Sequence, residues 1–319
     1  MSKFDCANYV VRVLKVDNTW LKEVDKFALT NAVFAMDNAY QRFFKLHSGN
    51  PRFRSKHNHR KSYTTCMNNA NIKVLFDRGK IQLPKLKLIK AKLSRPFYGQ
   101  IKNATVSQTP SGKYFVSITV EAEHEKLPST GGMIGIDLGI KDLLITSDGQ
   151  KYDNKRITKK YEDKLVRAQR SLSRKIKGSS NYNKQRIKVA RIHEKIYNTR
   201  IDYLHKITHK LISENQVIVS EDLAVSNMVR NHKLAKAISD CGWYELTRQL
   251  AYKAEWNDRQ YIKIGRFVKS SQTCHVCGYV NPETKDLSVR EWMCPRCGAV
   301  HDRDINAAIN VLNEGVKQI

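Results

Sequence analysis

Two Cys-x-x-Cys-Gly segments, Cys274-His275-Val276-Cys277-Gly278 and Cys294-Pro295-Arg296-Cys297-Gly298, constrain this chain more than any other feature. Tetrahedral zinc takes four soft donors. Each knuckle lets two thiolates bend around one ion while its glycine frees the backbone amides. Four thiolates close the shell and leave no position for a substrate or an activated water. The spacing therefore predicts a structural zinc held by Cys274, Cys277, Cys294 and Cys297 in a ribbon over 270–299, a segment with little core of its own. His275 and His301 are expected to find solvent or backbone partners instead of metal. Cys6, Cys66 and Cys241 lack ligand spacing and read as ordinary thiols. An odd total of seven cysteines, four of them in knuckles, fits a reducing, cytoplasmic setting better than a disulfide framework.

Charge narrows the function. The 57 Lys and Arg against 30 Asp and Glu leave +27 on 319 residues, far more than solubility requires, so a polyanionic partner is expected. At 41% hydrophobic and 9% aromatic residues the chain is too apolar for a disordered basic tail, and the charge must decorate a folded body. No apolar run approaches a membrane span, and MSKFDC lacks an apolar signal core.

Along the chain, residues 1–50 read as helical. Val24, Phe27, Ala28, Ala32, Phe34, Ala35, Ala39, Phe43 and Phe44 recur at helical spacing, and Gly49 and Pro51 act as stop signals. The basic, aromatic stretch PRFRSKHNHRKSYTT (51–65) reads either as a solvated loop or as a phosphate contact. From Ile72 to Glu121 the period changes to strands: IKVLF, KIQLP, KLKLIKAKL, and a hairpin of IKNATVSQT and KYFVSITVEA around Pro110-Ser111-Gly112. Leu86 and Leu88 alternating with Lys85 and Lys87 imply a small antiparallel barrel or sheet with a basic outer face. Lys126–Gly132 reads as a linker. GMIGIDLGIKDLLITSDGQKY (132–152) reads as a buried strand, a tight turn and a second strand. Two long basic helices follow over 155–214, broken at Lys177-Gly178-Ser179-Ser180. Then come a short buried strand, QVIVSEDL (216–223), an amphipathic helix from Leu234 to Trp256, a strand YIKIGRFV (261–268), the cysteine module, and a closing helix DINAAINVLNEG (304–315).

Acidic residues recur at element ends in three distant segments. Asp137 sits within GIDLGI, where an unpaired carboxylate would be costly to bury. Glu221 ends the apolar run VIVS, and Asp302 and Asp304 open the last helix. Each alone reads as a cap or a solvated turn residue. Together, on a strongly cationic chain, they match what metal-assisted phosphodiester cleavage needs: carboxylates holding two divalent cations about 4 Å apart.

The order GIDLGI, VSEDL, two C-x-x-CG knuckles, then DRDINAAINVL resembles the TnpB proteins of insertion sequences and the related compact type V CRISPR nucleases. The similarity runs from about Trp20 to Leu312. It implies a multidomain chain of α+β and α/β character. A short helical recognition segment (1–50, truncated) and a wedge-like β-barrel domain (51–128) would precede an RNase H-like nuclease domain of RuvC type. That nuclease domain would span 129–269, with the helical hairpin 155–214, and finish at 300–319 after the ribbon 270–299. It implies Asp137, Glu221 and Asp304 as the catalytic set binding Mg²⁺, in two ions, with Mn²⁺ as a substitute, and Asp302 as a neighbour. It implies a guide RNA and a target DNA as partners, and RNA-guided DNA endonuclease activity. Family members begin several tens of residues earlier, so the resemblance also implies a shortened N-terminus. Two other functions fit the residues: a non-cleaving guided repressor, against which the intact carboxylates argue, and a strand-joining transposase.

Overall fold

The computed structural model describes residues 2–53, 55, 61–286 and 288–319. Most of the basic run at 54–60, read above as a loop or phosphate contact, lies outside the described residues. Lys61–Cys66 form a strand. The chain divides into two compact units, one running to Glu123 with Arg186–Arg191, the other comprising His124–Gln185 and Ile192–Ile319. Among the described residues no helix is long and apolar enough to cross a membrane.

In the first unit, α1 (Lys3–Tyr9) opens with a reciprocal Ser2–Asp5 capping box and runs into a π-helical turn, Val10–Leu14, and α2 (Lys15–Asp17). Helix α3 (Lys26–Leu46) starts where the Asp25 carboxylate accepts the Ala28 amide. It ends on His47 in the left-handed region (φ 48°), ahead of the predicted stop at Gly49. Its apolar stripe is at most half-buried, and Phe44 is exposed.

The strands of this unit are β1 (Lys61–Cys66), β2 (Lys73–Leu75), β3 (Lys80–Gln82), β4 (Ile89–Lys90), β5 (Gln100–Gln108) and β6 (Tyr114–Glu121). They form two antiparallel three-stranded sheets, β1-β5-β6 and β2-β3-β4, in place of one continuous barrel. A common core of Ile72, Ile81, Leu83 and Ala104 joins them. The expected β5–β6 hairpin is present, and its turn uses Gly112 at φ 86°. KLKLIKAKL is not a long strand. Lys85 adopts φ 63°, Leu86 and Leu88 are exposed, and only Ile89–Lys90 pair, because the alternation has no sheet face to bury its leucines against.

The second unit is built on β7 (Met133–Asp137), β8 (Asp142–Thr146) and β9 (Lys151–Asp153), followed by helices α4 (Ile157–Ser173) and α5 (Ser180–Glu214) and strand β10 (Val217–Glu221). Next come α6 (Val225–Met228), α7 (Ala235–Cys241), α8 (Trp243–Trp256) and β11 (Gln260–Ile264). After the cysteine module, with β12 (Glu291–Met293) and β13 (Val300–Asp302), α9 (Arg303–Val316) closes the unit. The five-stranded sheet has the order β11-β10-β7-β8-β9. The β7-β8-β9 meander is antiparallel, and β7, β10 and β11 are parallel. The predicted 234–256 helix is two helices, because Gly242 adopts φ 70° between α7 and α8. A Cβ there would also press within 3.1 Å of the Arg200 side chain. The 126–132 segment is tied down within its run and at its end: the Pro128 carbonyl accepts Arg259 Nη2 at 2.6 Å, and that of Gly132 accepts the Gln216 amide at 2.7 Å.

Alternation along the central strands makes three layers. Ile134, Ile136, Leu138 and Ile218 pack with Leu204, Leu211, Leu246 and Leu250 on one face. The intervening positions of β7 and β10 face α9, where Val217, Val219 and Val311 form a second cluster. At Gly135 the helix backbone lies directly on the strand. An added Cβ would overlap the Ala308 carbonyl oxygen and stand 2.7 Å from the Leu312 amide nitrogen. Neither backbone atom can rotate away, so Gly135→Ala is expected to destabilise the protein by about 2 kcal/mol or more. A urea titration checks this, and an unchanged midpoint would contradict it.

Candidate active site and metal centre

The three-layer arrangement brings the first two carboxylates to one level. The last registered pair of β7 and β10 is Ile136 with Ser220, and Asp137 and Glu221 each follow by one residue. Both share the alternation phase that faces α9, so they emerge on the helix side at the carboxyl ends of adjacent parallel strands, where α/β sheets place ligands. Asp304 belongs to the first turn of α9. The three are close enough to repel. Burial pushes the Asp137 carboxyl up to about 8, and the negative charges of Glu221 and Asp304 add to that rise. The Arg303 guanidinium and the Leu138 amide oppose it only in part.

Few partners balance this charge. The buried Ser270 hydroxyl donates to Glu221 Oε1 at 2.5 Å, and Arg290 Nη1 lies 3.2 Å from Asp304 Oδ2. Among the described residues only the four cysteines bring their ligand atoms together as a metal-binding group; Asp137, Glu221 and Asp304 are close enough to couple electrostatically and carry the hard oxygen donors that a divalent cation takes.

Asp302 is placed differently. It is the N-cap of α9, and its Oδ1 accepts the amides of Asp304 (3.0 Å) and Ile305 (3.1 Å). Its Oδ2 pairs with Lys151 Nζ at 2.5 Å. Burial alone would raise its carboxyl, but Lys151 and the two amides hold it below the usual range. The cap and the Lys151 pair thus occupy both oxygens of Asp302, while the charge of Asp304 acts on Asp137.

The four cysteines converge as a second centre. All four sulfurs lie within 4.8 Å of one another, with Cys274–Cys297 at 3.7 Å and Cys277–Cys294 at 3.6 Å. A disulfide needs about 2.05 Å. A tetrahedron with zinc–sulfur bonds of about 2.3 Å has edges of about 3.8 Å, so the donors fit zinc. The knuckles repeat one backbone pattern: Gly278 N donates to Cys274 O and Gly298 N to Cys294 O, with φ of 74° and 73°. His275 and His301 depart from the expectation of solvent or backbone partners. His275 Nδ1 lies 2.9 Å from Asn306 Oδ1, and His301 Nε2 lies 3.1 Å from Cys274 Sγ. Buried His301 thus sits behind the Cys274 sulfur, where a group outside a metal shell would fix the orientation of a ligand.

Sequence reasoning did not single out Ser270, Arg290, Arg303 or Lys151. Arg303 could have been suspected from its place between two aspartates; the other three carry no local signal, because folding alone brings them to the carboxylates.

Comparison with known proteins places the chain. Residues 116–232 match the OrfB_IS605 family, described as "Probable transposase", and residues 243–311 match the Cas12f1-like TNB domain. A Streptomyces pristinaespiralis protein named "Putative RNA-guided DNA endonuclease" is 40% identical over 302 residues, covering 93% of this chain and 73% of that one. The Escherichia coli K12 "Putative RNA-guided DNA endonuclease InsQ" is 35% identical over 316 residues, covering 94% and 77%. The fold is similar to that of a Cas12f1 chain solved by cryo-electron microscopy with its sgRNA and target DNA. The TM-score is 0.58 at 12% identity, with 98% of this chain and 76% of that one covered. The chain is a mixed α+β protein with a four-cysteine cluster and a fold similar to that of the Cas12f1 chain. It belongs to the TnpB family.

Proposed function

We propose that this chain is an RNA-guided DNA endonuclease that hydrolyses phosphodiester bonds at Asp137, Glu221 and Asp304. The convergence of these three carboxylates, from segments far apart in sequence, is the observation that carries the reading. In this reading the five-stranded sheet with α9 is an RNase H-like domain of RuvC type. The order of domains is a helical recognition segment (1–50), a wedge (51–128), the nuclease (129–269 and 300–319) and the zinc ribbon (270–299). The names of the 40% and 35% identical relatives support the guided activity, and intact carboxylates disfavour a non-cleaving repressor.

Asp137, Glu221 and Asp304 would hold Mg²⁺, two ions in the two-metal arrangement. When bound, these would lower the pKa of an attacking water and neutralise charge at the leaving oxygen. The chain's own contribution is positional. β7 and β10 fix two carboxylates at strand ends, α9 fixes the third, and Arg290 and Arg303 limit the repulsion among them. Zinc would occupy Cys274, Cys277, Cys294 and Cys297 and hold the ribbon.

The polyanion partners are a guide RNA and its DNA target. Exposed cations are spread over Lys85, Lys87 and Lys92 and along α4 and α5, from Lys159 to Lys188, which suits backbone contact with a long nucleic acid. RNA binding is expected to weaken steeply with salt. Six phosphate contacts would give a log–log slope of about −4, measurable by filter binding across a salt series; a flat response would remove the electrostatic basis. The function itself is tested by sequencing RNA that co-purifies with the protein and supplying that guide with a matched duplex and Mg²⁺. Hydrolysed ends are expected. Joined strands would indicate a transposase, and an unchanged duplex a binding protein.

A further inference from the structure

The zinc ribbon leaves the sheet after β11 and returns through α9, and side chains of α9 bind the outgoing segment back onto the helix. Asn310 Nδ2 donates to the carbonyls of Ser270 (2.8 Å) and Thr273 (2.5 Å). One turn earlier, Asn306 Nδ2 donates to Thr273 O at 2.8 Å, and its Oδ1 accepts the His275 amide at 3.1 Å. Asn306 is almost wholly buried. The backbone from Ser270 to His275 is therefore clamped to the helix that carries Asp304 in its first turn, and Cys274 lies within the clamped run. At the start of that run, Ser270 is itself buried, and its hydroxyl makes the 2.5 Å bond to Glu221 Oε1.

From this geometry we infer that Ser270 is a positioning residue for Glu221, and that the Asn306–Asn310 clamp sets where its hydroxyl sits. The inference deepens the nuclease reading above and rests on it. A free glutamate side chain at a strand end samples several rotamers. A buried hydroxyl fixed at its backbone selects one, and holds Oε1 so that the other oxygen is presented to a cation. Outer partners of metal-binding carboxylates act in this way, and removing one typically lowers metal affinity 10- to 100-fold. The same run contains the first zinc ligand, so the structural centre and the hydroxyl that holds Glu221 share one clamped piece of backbone.

The test measures Mn²⁺ binding to the intact, zinc-loaded protein by electron paramagnetic resonance, alongside zinc content and DNA cleavage, in wild type, Ser270→Ala, Ser270→Thr and Asp137→Ala. Ser270→Ala is expected to keep its zinc and lose about tenfold in Mn²⁺ affinity, with a parallel loss in cleavage at limiting metal that excess Mn²⁺ partly restores. Ser270→Thr, which keeps the hydroxyl, is expected to recover most of the affinity. Normal binding in Ser270→Ala, with binding lost in Asp137→Ala, would overturn the positioning role and leave the carboxylate site standing. Normal binding in both would overturn the site reading, and the positioning role with it. Loss of zinc from Ser270→Ala that threonine does not reverse would show a merely structural serine, and would also overturn the inference.

Discussion

Asp137→Ala, Glu221→Ala and Asp304→Ala are each expected to lower guided DNA cleavage by more than about a thousandfold while leaving nucleic-acid binding nearly unchanged. The argument is geometric and electrostatic. The three groups lie at adjacent strand ends and a helix start, and burial with mutual repulsion lifts Asp137 to about 8. A cation held there would favour the charged form of such a group, and each carboxylate would fix part of its position, so loss of one member is expected to misplace the cation instead of merely weakening a contact. Binding is carried by lysines and arginines spread over the chain and should survive. Asp302→Ala is the control. It removes the α9 cap and the Lys151 partner, so it should cost about 1 kcal/mol of stability and only a modest share of activity. Cleavage time courses and urea melts on the four variants decide the matter. Full activity in Asp304→Ala with none in Asp302→Ala would exchange the roles of the two.

The second large effect concerns the ribbon. Its core consists of Cys274, Trp292 and Cys294, with Cys277, Tyr279 and Val289 partly buried around them. So few apolar groups cannot offset the entropy of ordering about thirty residues. Coordination has to supply the difference, and in small zinc domains it is worth on the order of 10 kcal/mol. About one zinc per chain is therefore expected by elemental analysis. Cys294→Ser should lose it and open 270–299 to protease while the sheet stays protected. Because the clamped backbone passes from Cys274 to Ser270, cleavage should fall as well. A folded, protease-resistant ribbon without zinc would refute the assignment.

What could be read in the sequence was local. The knuckles announce themselves because two cysteines three residues apart need only a turn to bring their sulfurs together, and the observed sulfur positions follow from that turn. The strands around Asp137 and Glu221 were legible because a central parallel strand is buried on both faces and reads as a continuous apolar run. Gly242 carries little signal because an isolated glycine is tolerated inside a helical pattern, and only the folded backbone shows its φ of 70° between α7 and α8. KLKLIKAKL alternates like a strand, yet finds too little partner to pair with. Ser270 carried no signal at all, since its role exists only once β10 and the ribbon base are brought together.

The first turn of α9 divides labour between aspartates two residues apart. Asp302 has extended backbone (φ −71°, ψ 123°), whereas Asp304 is already helical. At about 100° per helical residue, side chains at such positions diverge strongly around the axis. The two positions therefore live under unlike rules of sequence drift. At the first, serine, threonine or asparagine caps a helix nearly as well as aspartate, so substitutions there conserve the fold's grammar and sacrifice only the bond to Lys151. At the second, in the reading proposed above, helix-starting residues are no substitute, because what is asked of Asp304 is a charge beside Asp137 and not a way of starting a helix. A single inserted or deleted residue between them would swing the second aspartate about 100° around the helix axis relative to the cap, which makes the length of this tripeptide as binding a constraint as its letters.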